Sequence, residues 1–541
     1  MANNKIKVWW IAAIFFGGAF LGFKFNTLSS QDNISDAFRK LSYVMELTYK
    51  FYVDDVNLSE LTEAAIKGMF EKLDPHTTYI PPKQLERVEE EFKGEFEGVG
   101  IEFQILNDTL TVVTPITGGP SETVGIMPGD RIVKINNESA IGIKTDDVRK
   151  KLRGPKGTTV NVSVYRPPLK NLIDFTITRD KIPLYSVDTY FMYDNDTGYI
   201  SVSRFSETTY NEVIKALQEL KAKGMKKLIF DLRNNPGGYM NQAINIADLF
   251  LSDDKLVVFT KGRRSEFNEE YNCSMPSEFE NIPLLILVNN GSASASEIVS
   301  GAIQDWDRGI IVGEKTFGKG LVQRQFTLND NSAVRITISR YYTPTGRSIQ
   351  KDYSDKKSYY KVNKDDIDEE EVDNFDHHKD KEAKKDLPKY QTKILKRTVY
   401  GGGGITPDYI IPNDTLTSLT VDLIRNNIFY SFVRSYLDAN GNNIRNEFTT
   451  IQRFKNNFNI NREIEKEFIS YAKNKNIKFD DNKYKIDREY ILTRIKAQIA
   501  RDIWKNEGWY YIILENDKQF VKSLDLFGKA KDLLAKTNKK K

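Results

Sequence analysis

Two short segments of this chain carry residues that could together hydrolyse an amide bond. The first, residues 288–297, reads VNNGSASASE and contains three serines, of which Ser294 is the middle one. The second, residues 316–323, reads TFGKGLVQ and places Lys319 between two glycines, 25 residues after Ser294. Covalent hydrolysis needs a nucleophile and a base, and a serine with a lysine base is one known pairing. We call these two segments the serine turn and the lysine loop.

The serine turn also has a purely structural interpretation. An apolar strand precedes it and an apolar helix follows it, so Ser294 and Glu297 have the spacing of a helix capping box. Capping explains one serine and the glutamate, but not why serines and alanines keep the other side chains of the turn small. Small residues at a helix N-terminus leave backbone N–H groups accessible to an oxyanion, and Ala295 would supply one of them. Both interpretations stay open at this point.

The lysine loop matches a phosphate-binding loop only in part. Gly313, Gly318 and Lys319 fit that motif. Gly320, however, stands where the motif requires Ser or Thr, and a strand-like run follows instead of a helix, so nucleotide binding is not expected. A lysine acts as a base only without its proton, and burial among apolar neighbours lowers the pKa of an ammonium group. The flanking Val, Ile and Leu residues could provide that burial; a surface lysine in a turn is the alternative.

A third segment, residues 231–238, could complete such a site. It reads DLRNNPGG and follows an apolar strand. Its glycines, Gly237 and Gly238, could offer a second N–H group to an oxyanion. The alternative is an ordinary turn between a strand and a helix.

Composition narrows the class of protein. A chain of 541 residues with 40% hydrophobic residues is long enough for several domains with packed cores. A net charge of +4 gives no reason to expect nucleic-acid binding. The single cysteine, Cys273, excludes an intrachain disulfide framework and a cysteine zinc cluster. No cofactor or metal is expected: His76 is interpreted as a loop or helix-end histidine, and the adjacent His377 and His378 as an adventitious metal ligand at most.

The N-terminus has the features of an export signal. Lys5 and Lys7 precede an apolar run over residues 8–23, and Lys24 follows it. The run is shorter than the roughly 20 residues that span a bilayer comfortably, but it suits a signal sequence or a short uncleaved anchor. The charge bias predicts a cytoplasmic N-terminus and export of everything after about residue 26 to the periplasmic side of a bacterial inner membrane. Cleavage of the run is left open, and a buried core helix is the alternative.

Apolar spacing along the rest of the chain predicts a succession of domain types. Residues 35–52 and 58–73 have helical spacing, and short strands with glycine turns follow over residues 98–180. Strands then alternate with helices, which indicates an α/β core. Residues 351–390 are dense in Lys, Asp and Glu and are interpreted as a solvated or disordered insertion. Residues 413–541 are charged and mostly helical in spacing.

Residues 98–180 resemble a PDZ domain in their ordered glycine loop, Pro-Gly-Asp turn and following helix. Such domains bind an extended peptide by adding it to a sheet as a strand. The resemblance implies that backbone N–H groups of Gly98, Val99, Gly100 and Ile101 receive a terminal carboxylate. It also implies that Ile101 and Phe103 help to line the side-chain pocket.

Together the segments resemble the carboxyl-terminal processing peptidases, also called tail-specific proteases. The match covers residues 73–408 and includes six motifs: LDPH at 73–76, the PDZ-like module, DLRNNPGG, SASASE, TFGKGLVQ and GGITPD at 403–408. The resemblance implies that Ser294 is the nucleophile, Lys319 the general base and Gln323 the residue that positions the lysine. An oxyanion hole would be formed by Ala295 with Gly237 or Gly238. Arg153 is where a contact coupling the PDZ domain to the active site would be expected.

The resemblance implies an α/β multidomain fold, with a crotonase/ClpP-like α/β protease core, a PDZ domain and helical N- and C-terminal regions. The expected divisions are a signal or anchor (1–25), an N-terminal helical region (26–97), the PDZ domain (98–180), a protease core (181–350 and 391–412), a charged insertion (351–390) and a C-terminal helical domain (413–541).

The expected function is that of an exported serine endopeptidase that captures protein C-terminal tails in its PDZ groove and cleaves them. Its expected partners are proteins or peptides with apolar C-terminal tails, the inner membrane through the N-terminal segment, and a further copy of itself or an adaptor. One rival is a non-catalytic PDZ scaffold for exported clients, and its discriminating feature would be loss of Ser294 or Lys319. Another is an acyl-CoA-type enzyme on a related α/β core, because a fold alone does not determine chemistry.

Overall fold

The computed structural model of this chain describes residues 33–252, 254–359, 372–373 and 387–540. The predicted signal or anchor and the pair His377–His378 lie outside these residues. The chain divides into two compact units, Met1–Tyr79 and Ile80–Lys541. In the described ranges, no helix is both long enough and apolar enough to cross a membrane.

The first unit contains two helices, α1 (Ile34–Phe51) and α2 (Leu58–Phe70). An asparagine side chain caps the start of each helix by accepting hydrogen bonds from backbone N–H groups. The helices predicted over residues 35–52 and 58–73 are therefore confirmed to within three residues at each end. His76 lies in a turn after α2, where its backbone N–H donates to a carboxylate of the same turn.

Helix α3 (Pro82–Lys93) lies within the helical region predicted over residues 26–97 but was not predicted as a separate helix, and it follows the short strand β1 (Thr78–Ile80). Proline at its first position loses no hydrogen bond, because the first N–H groups of a helix have no intrahelical partner. Gly94 ends the helix in a left-handed conformation with φ of 76°. Most of its residues are charged, so its apolar periodicity is weak. The end signals were present, but the apolar pattern on which the prediction depended was not.

The PDZ-like module is a small antiparallel sheet with one main helix. Its sheet has the order β3-β4-β5-β7-β8, with β6 paired to β5, so β3 is an edge strand. Val148 and Leu152 of the helix pack on buried Val, Ile and Leu side chains of the sheet. Its elements are β2 (Glu95–Gly98), β3 (Ile101–Leu106), β4 (Thr109–Pro115), α4 (Pro120–Thr123), β5 (Arg131–Ile135), β6 (Glu138–Ser139), α5 (Thr145–Leu152), β7 (Thr159–Tyr165), β8 (Leu172–Thr178) and β9 (Asp180–Pro183).

The α/β core is organised around a mostly parallel sheet of order β10-β11-β12-β15-β16-β22-β19. A second antiparallel sheet contains β17, β18, β13 and β14. The elements are β10 (Val187–Met192), β11 (Thr197–Val202), α6 (Thr209–Ala222), β12 (Lys227–Asp231), α7 (Met240–Asp248), β13 (Leu256–Gly262), β14 (Glu270–Asn272), β15 (Leu284–Val288), α8 (Ala295–Asp305), β16 (Ile310–Gly313), β17 (Leu321–Thr327), β18 (Ala333–Tyr342), α9 (Lys356–Tyr359), β19 (Val372–Asp373), β20 (Lys389–Gln391), β21 (Thr398–Tyr400) and β22 (Tyr409–Ile410).

Both faces of the parallel sheet are buried, as expected for parallel strands. In β15, Leu284 and Ile286 pack in the cluster that contains α6, α7 and α8, whereas Leu285 and Leu287 point to the opposite face. That opposite face is covered by C-terminal side chains, among them Phe520. The C-terminal helices therefore complete the core.

The C-terminal region also has a hydrophobic cluster of its own, formed by helices α10 to α14. Its longest helix, α14, is interrupted at Trp504 and Lys505, where Lys505 has φ of 54°. The helices of the region are α10 (Ser418–Arg425), α11 (Ile428–Glu447), α12 (Ile451–Asn457), α13 (Arg462–Asn474), α14 (Asp481–Ile513), α15 (Lys518–Asp525) and α16 (Phe527–Lys539).

The interrupted part of α14 contacts the PDZ-like module on one side and the core on the other. Lys505 pairs with Glu122 and donates to Thr117 at 2.8 Å, both in the module. Tyr510 donates to Asp188 of β10 at 3.1 Å. One helix thus joins two domains that the sequence analysis treated as separate from it.

One aromatic residue of the predicted insertion is packed, although Asp352, Ser354 and Asp355 before it are exposed. Tyr359 is buried, and its ring lies edge-on to Phe317 of the lysine loop at 5.4 Å. The Gln350 amide donates to the Tyr359 hydroxyl at 3.1 Å. The charge density of residues 351–390 hid this buried aromatic contact.

Substituting Phe520→Ala tests whether the C-terminal helices are part of the core. The ring is fully buried and lies 4.8 Å from Tyr193 and 5.6 Å from Tyr199, so its loss should lower the free energy of unfolding by about 3–5 kcal/mol. Chemical denaturation followed by tryptophan fluorescence measures this. The neighbouring Val521→Ala is the control, because Val521 is exposed. Equal small effects of both substitutions would contradict the assignment.

Candidate active site

The serine turn connects β15 to α8 and presents Ser294 at the helix start. Ser294 has φ of 54° and ψ of −111°, a conformation that residues with a side chain rarely adopt. Such strain persists only where surrounding structure fixes it, and it is concentrated at functional sites. The Ser294 side chain lines a cavity of about 830 Å³ that Lys319 and Gln323 also line. The serine and the lysine singled out in the sequence therefore reach one cavity.

Hydrogen bonds separate the roles of the three serines in the turn. Ser292 is buried and its hydroxyl donates to the Leu232 carbonyl at 2.8 Å. Ser296 is also buried, and its hydroxyl donates to the Asn235 carbonyl at 2.9 Å. Both therefore fasten the serine turn to residues 231–238. Ser294 is the serine of the three that lines the cavity.

Residues 231–238 approach Ser294 so closely that Gly237 has no room for a side chain. A Cβ at Gly237 would lie 2.7 Å from the Ser294 Cβ and 2.9 Å from the Ala295 nitrogen, and Gly237 also has φ of 98°. Its N–H donates to the Asn235 side chain at 2.9 Å. The N–H groups of Gly238 and Ala295 donate to no other described residue. These two N–H groups are therefore the pair available to an oxyanion, and the oxyanion hole stays a prediction.

The lysine loop is held against a second glycine segment. Gly318 has φ of 91°, and a Cβ there would lie 2.9 Å from the backbone of Gly403 and Gly404. The glycines beside Lys319 were expected to allow such an approach of another backbone, and Gly318 confirms it. Lys319 itself is half-buried. Its cavity is walled largely by apolar side chains, including Pro236, Tyr239, Met240, Ile298, Leu321 and Val322.

Glu297 connects the backbones of the two candidate catalytic residues. One of its carboxylate oxygens accepts the N–H of Ser294 and the N–H of Lys319, each at 2.8 Å. The other accepts the Thr316 hydroxyl at 2.6 Å and the Gly318 N–H at 2.8 Å. The side chain is fully buried, and this burial raises the pKa of Glu297 to about 7 against the opposing effect of the four donors. The sequence showed Glu297 only as a capping residue.

Tyr341 makes a second connection between the same two residues. Its hydroxyl lies 3.0 Å from the Ser294 carbonyl oxygen and within hydrogen-bond distance of the Lys319 carbonyl oxygen, so its one proton can be donated to either. Burial raises the pKa of Tyr341 well above its usual value, which keeps the hydroxyl protonated. Glu297 thus binds the N–H groups of Ser294 and Lys319, and the Tyr341 hydroxyl lies between their carbonyl oxygens.

Gln323 lines the cavity, and its amide nitrogen makes two hydrogen bonds there. Its amide nitrogen donates to the Leu321 carbonyl and to the Thr337 hydroxyl, each at 3.4 Å. Neither hydrogen bond involves Lys319. The expected positioning role of Gln323 therefore stays a prediction.

The predicted peptide loop lies between β2 and β3 of the PDZ-like module. Gly98 ends β2, Gly100 has φ of 75°, and Val99 is buried with its carbonyl accepting from both the N–H and the hydroxyl of Ser121. Ile101 and Phe103 are half-buried on the module's core. Ser121 thus holds the loop at Val99, next to the edge strand β3.

Arg153 lies at the end of α5 and contacts α3. Its guanidinium pairs with Glu90 at 2.5 Å and lies over the Phe96 ring at 4.7 Å. Two residues after Glu90, Phe92 lines the cavity of Ser294. Helix α3 therefore connects the expected coupling residue to the candidate site.

The described residues contain no cluster of three or more His, Cys, Asp or Glu side chains that could hold a metal ion. The sequence did not predict α3 as a separate helix, nor the bridging role of Glu297, nor the contacts of Tyr341. Proline and glycine at the ends of α3 were usable signals. Tyr341 lies 47 residues after Ser294, and no local pattern links the two.

Family models match several parts of the chain. Residues 196–356 match peptidase family S41, and residues 111–166 match a PDZ domain. Residues 24–83 match the N-terminal domain of the activating protease CtpB, and residues 419–505 match a family of unknown function.

Curated relatives agree with these matches. The carboxy-terminal-processing protease of Bartonella bacilliformis is 34% identical over 328 residues, which are 60% of this chain and 75% of that protein. The carboxy-terminal processing protease CtpA of Bacillus subtilis is 36% identical over 318 residues, or 58% of this chain and 67% of that one. Among solved structures, the photosystem II D1 C-terminal processing protease is 31% identical and covers 57% of this chain and 83% of that one, with a TM-score of 0.34.

Substituting Glu297→Gln tests its bridging role. The substitution replaces one carboxylate oxygen with an NH2 group, which cannot accept a hydrogen bond. Each carboxylate oxygen now accepts two hydrogen bonds, so two are lost in either orientation of the amide. We expect kcat to fall by about a hundredfold or more and stability by about 1–3 kcal/mol. Glu314→Gln is the matched control, because Glu314 is also buried but bonds to Asn413. An equal loss of kcat in both variants would mean that Glu297 has only a structural role.

The raised pKa of Glu297 has a consequence for stability that can be measured. Its folded-state pKa of about 7 lies above the ordinary value of 4.5, so the folded protein binds this proton more tightly than the unfolded chain does. The resulting stabilisation is complete below about pH 4.5 and is lost as the pH rises through about 7. Denaturation at several pH values should therefore show the stability gap between the unsubstituted protein and Glu297→Gln narrowing as pH rises over that range. A gap that widens would contradict the assignment.

Proposed function

Because the chain belongs to the carboxy-terminal processing proteases of peptidase family S41, we propose that Ser294 and Lys319 form the catalytic dyad of an exported endopeptidase that cleaves protein C-terminal tails. The chain is a serine-type protease with a PDZ domain. The observation that carries the proposal is the shared hydrogen bonding of the two backbones by Glu297 and Tyr341. It keeps a strained serine and a lysine at the wall of one cavity.

In the proposed mechanism, the Ser294 hydroxyl attacks the carbonyl carbon of the substrate and its proton passes to the neutral amine of Lys319. The negative charge that forms on the carbonyl oxygen accepts hydrogen bonds from the N–H groups of Ala295 and Gly238. Lys319 then gives the proton to the leaving amine as the peptide bond breaks. Water attacks the acyl-enzyme in the same way, with Lys319 accepting its proton and returning it to Ser294.

Substrate capture is proposed to occur at the edge strand β3. In its sheet β3 pairs with β4 alone, so its outward N–H and C=O groups have no partner strand there and would receive the tail as an added strand. The tail's terminal carboxylate would bind at the loop of Gly98 to Ile101, with apolar side chains against Ile101 and Phe103. Ser121 supports this assignment, because its two hydrogen bonds hold the Val99 carbonyl away from the incoming carboxylate.

Arg153 is proposed to couple capture to catalysis. A displacement of the PDZ domain would move Arg153, and the ion pair with Glu90 would transmit that movement to α3. Phe92 of α3 packs edge-on against Tyr239 at 5.0 Å, and both line the cavity of Ser294. Helix α3 thereby offers a physical route between the two sites.

Export is proposed from the sequence alone. The lysines before the apolar run of residues 8–23 favour a cytoplasmic N-terminus and place the protease on the periplasmic side of the inner membrane. Assembly with a further copy or an adaptor is proposed only by resemblance to the family.

The direct test compares the full chain with its Ser294→Ala and Lys319→Ala variants on a loosely folded reporter protein ending in Val-Ala. We expect the unsubstituted chain to cut and either variant to lose about a thousandfold or more in kcat/KM. Ser300→Ala is the matched control, because Ser300 is buried in the same helix and bonds to Ser296 outside the cavity.

A second reporter with charged residues in its tail tests the capture step and should be cut poorly. Cutting that survives Ser294→Ala would refute the proposed dyad. Tail binding by all variants with no cutting by any would favour the non-catalytic scaffold.

A further inference from the structure

Arg335 is a cation in the wall of the Ser294 cavity that the proposed mechanism does not use. It lies on β18, directly opposite Gln325 of β17 in the strand register. Leu321, Gln323 and Gln325 alternate along β17, and all three line the same cavity. Alternate residues of a strand share one face, so Arg335 lies at the far end of a row of side chains that starts beside the lysine loop.

The surroundings of Arg335 hold its guanidinium in place but do not neutralise it. The guanidinium lies over the Phe92 ring at 5.3 Å, and one nitrogen donates to the Gln325 side chain at 3.1 Å. Among the described residues, no carboxylate forms an ion pair with it. The cavity's own carboxylate, Glu89, lies 3.6 Å from Lys93. Partial burial lowers the pKa of Arg335, because its charge is incompletely hydrated there.

A half-buried guanidinium with most of its N–H groups unused favours binding of an anion. Its planar edge matches a carboxylate, which it can bind through two parallel hydrogen bonds. Stacking on Phe92 fixes the plane and reduces the entropy lost on binding. A protein substrate carries carboxylates in two places, on Asp and Glu side chains and at its C-terminus.

We propose that Arg335 is a specificity residue that binds a carboxylate of the substrate roughly four residues from the bond that is cut. The spacing is that of an extended substrate lying along β17 with its cleaved bond beside Leu321, because Gln325 is then four residues or about 13 Å away. This inference rests on the proposed function, since it assigns a substrate contact in the same cavity. It concerns a carboxylate near the cleaved bond, on a side chain or at the C-terminus of a short substrate, and not the capture of the apolar tail by the PDZ domain.

The test uses the full chain and internally quenched peptides that end in the same apolar tail. One set moves a single Glu along the positions on both sides of the cleaved bond, and a matched set carries Gln instead. A third set shortens the chain after the cleaved bond, with either a free or an amidated C-terminus. The measured quantity is the ratio of kcat/KM between each charged peptide and its neutral partner.

We expect one position to give a ratio of about tenfold or more in favour of Glu, mainly through a lower KM. In Arg335→Gln that ratio should fall to about one. In Arg335→Glu a peptide with Lys at the same position should be a better substrate than the peptide with Glu. Arg324→Gln is the matched control and should keep the ratio, because Arg324 lies on β17 outside the cavity, over Phe326. If the enzyme instead prefers short peptides with a free C-terminus to the same peptides with an amidated one, the site binds the terminal carboxylate.

Two results would overturn the inference. If the unsubstituted chain cuts Glu and Gln peptides and free and amidated peptides equally well, and this cutting depends on Ser294, then the proposed function stands and the role of Arg335 is wrong. If a preference exists but Arg335→Gln keeps it, another residue recognises the carboxylate. Failure to cut any peptide would contradict the proposed function itself, and this inference with it.

Discussion

The buried carboxylate of Glu297 is the interaction on which the geometry of the active site depends. Four donors converge on it, and two of them are the N–H groups of Ser294 and Lys319. When the carboxyl group is ionised, these hydrogen bonds are strong because the charge is removed from water, and for the same reason the loss of any donor would then be costly. The small side chains of the serine turn and the glycines around Lys319 have a common explanation. They allow two loops to approach one carboxylate.

The constraint extends outward from that carboxylate. Ser292 and Ser296 fasten the serine turn to residues 231–238, and Gly237 reaches Ser294 at a distance that excludes a side chain. On the other side, the Thr316 hydroxyl donates to Glu297 and accepts the N–H of Ile405 at 2.6 Å. Segments from four parts of the core thus meet at one point, which explains how a strained conformation at Ser294 is maintained.

Local patterns predicted the parts of this structure that local physics controls. Apolar spacing gave the helices of the first unit and the strands of the core, and glycine with small residues located Ser294, Lys319 and Gly237. The pattern did not resolve α3 as a separate helix within the predicted helical region, because its charged residues mask the apolar side that Phe92 presents to the cavity. Nor could it reveal that Tyr341 bonds to Ser294, since that contact exists only after two sheets have packed together. The role of Glu297 was predicted only in part. Its capping of the helix was evident from the sequence, but its hydrogen bonds from Thr316, Gly318 and Lys319 were not.

The interruption of α14 at Lys505 restricts how the length of this chain can vary. On one side of it, Arg501 pairs with Glu102 of the PDZ domain at 3.0 Å, and beyond it Tyr510 reaches Asp188 of the core. Inserting or deleting one residue in a helix turns everything beyond it by about 100°. A single-residue insertion between these contacts would therefore turn one set of side chains away from its domain. Insertions and deletions among homologues should accumulate in the surface loops and leave the number of residues between Arg501 and Tyr510 unchanged.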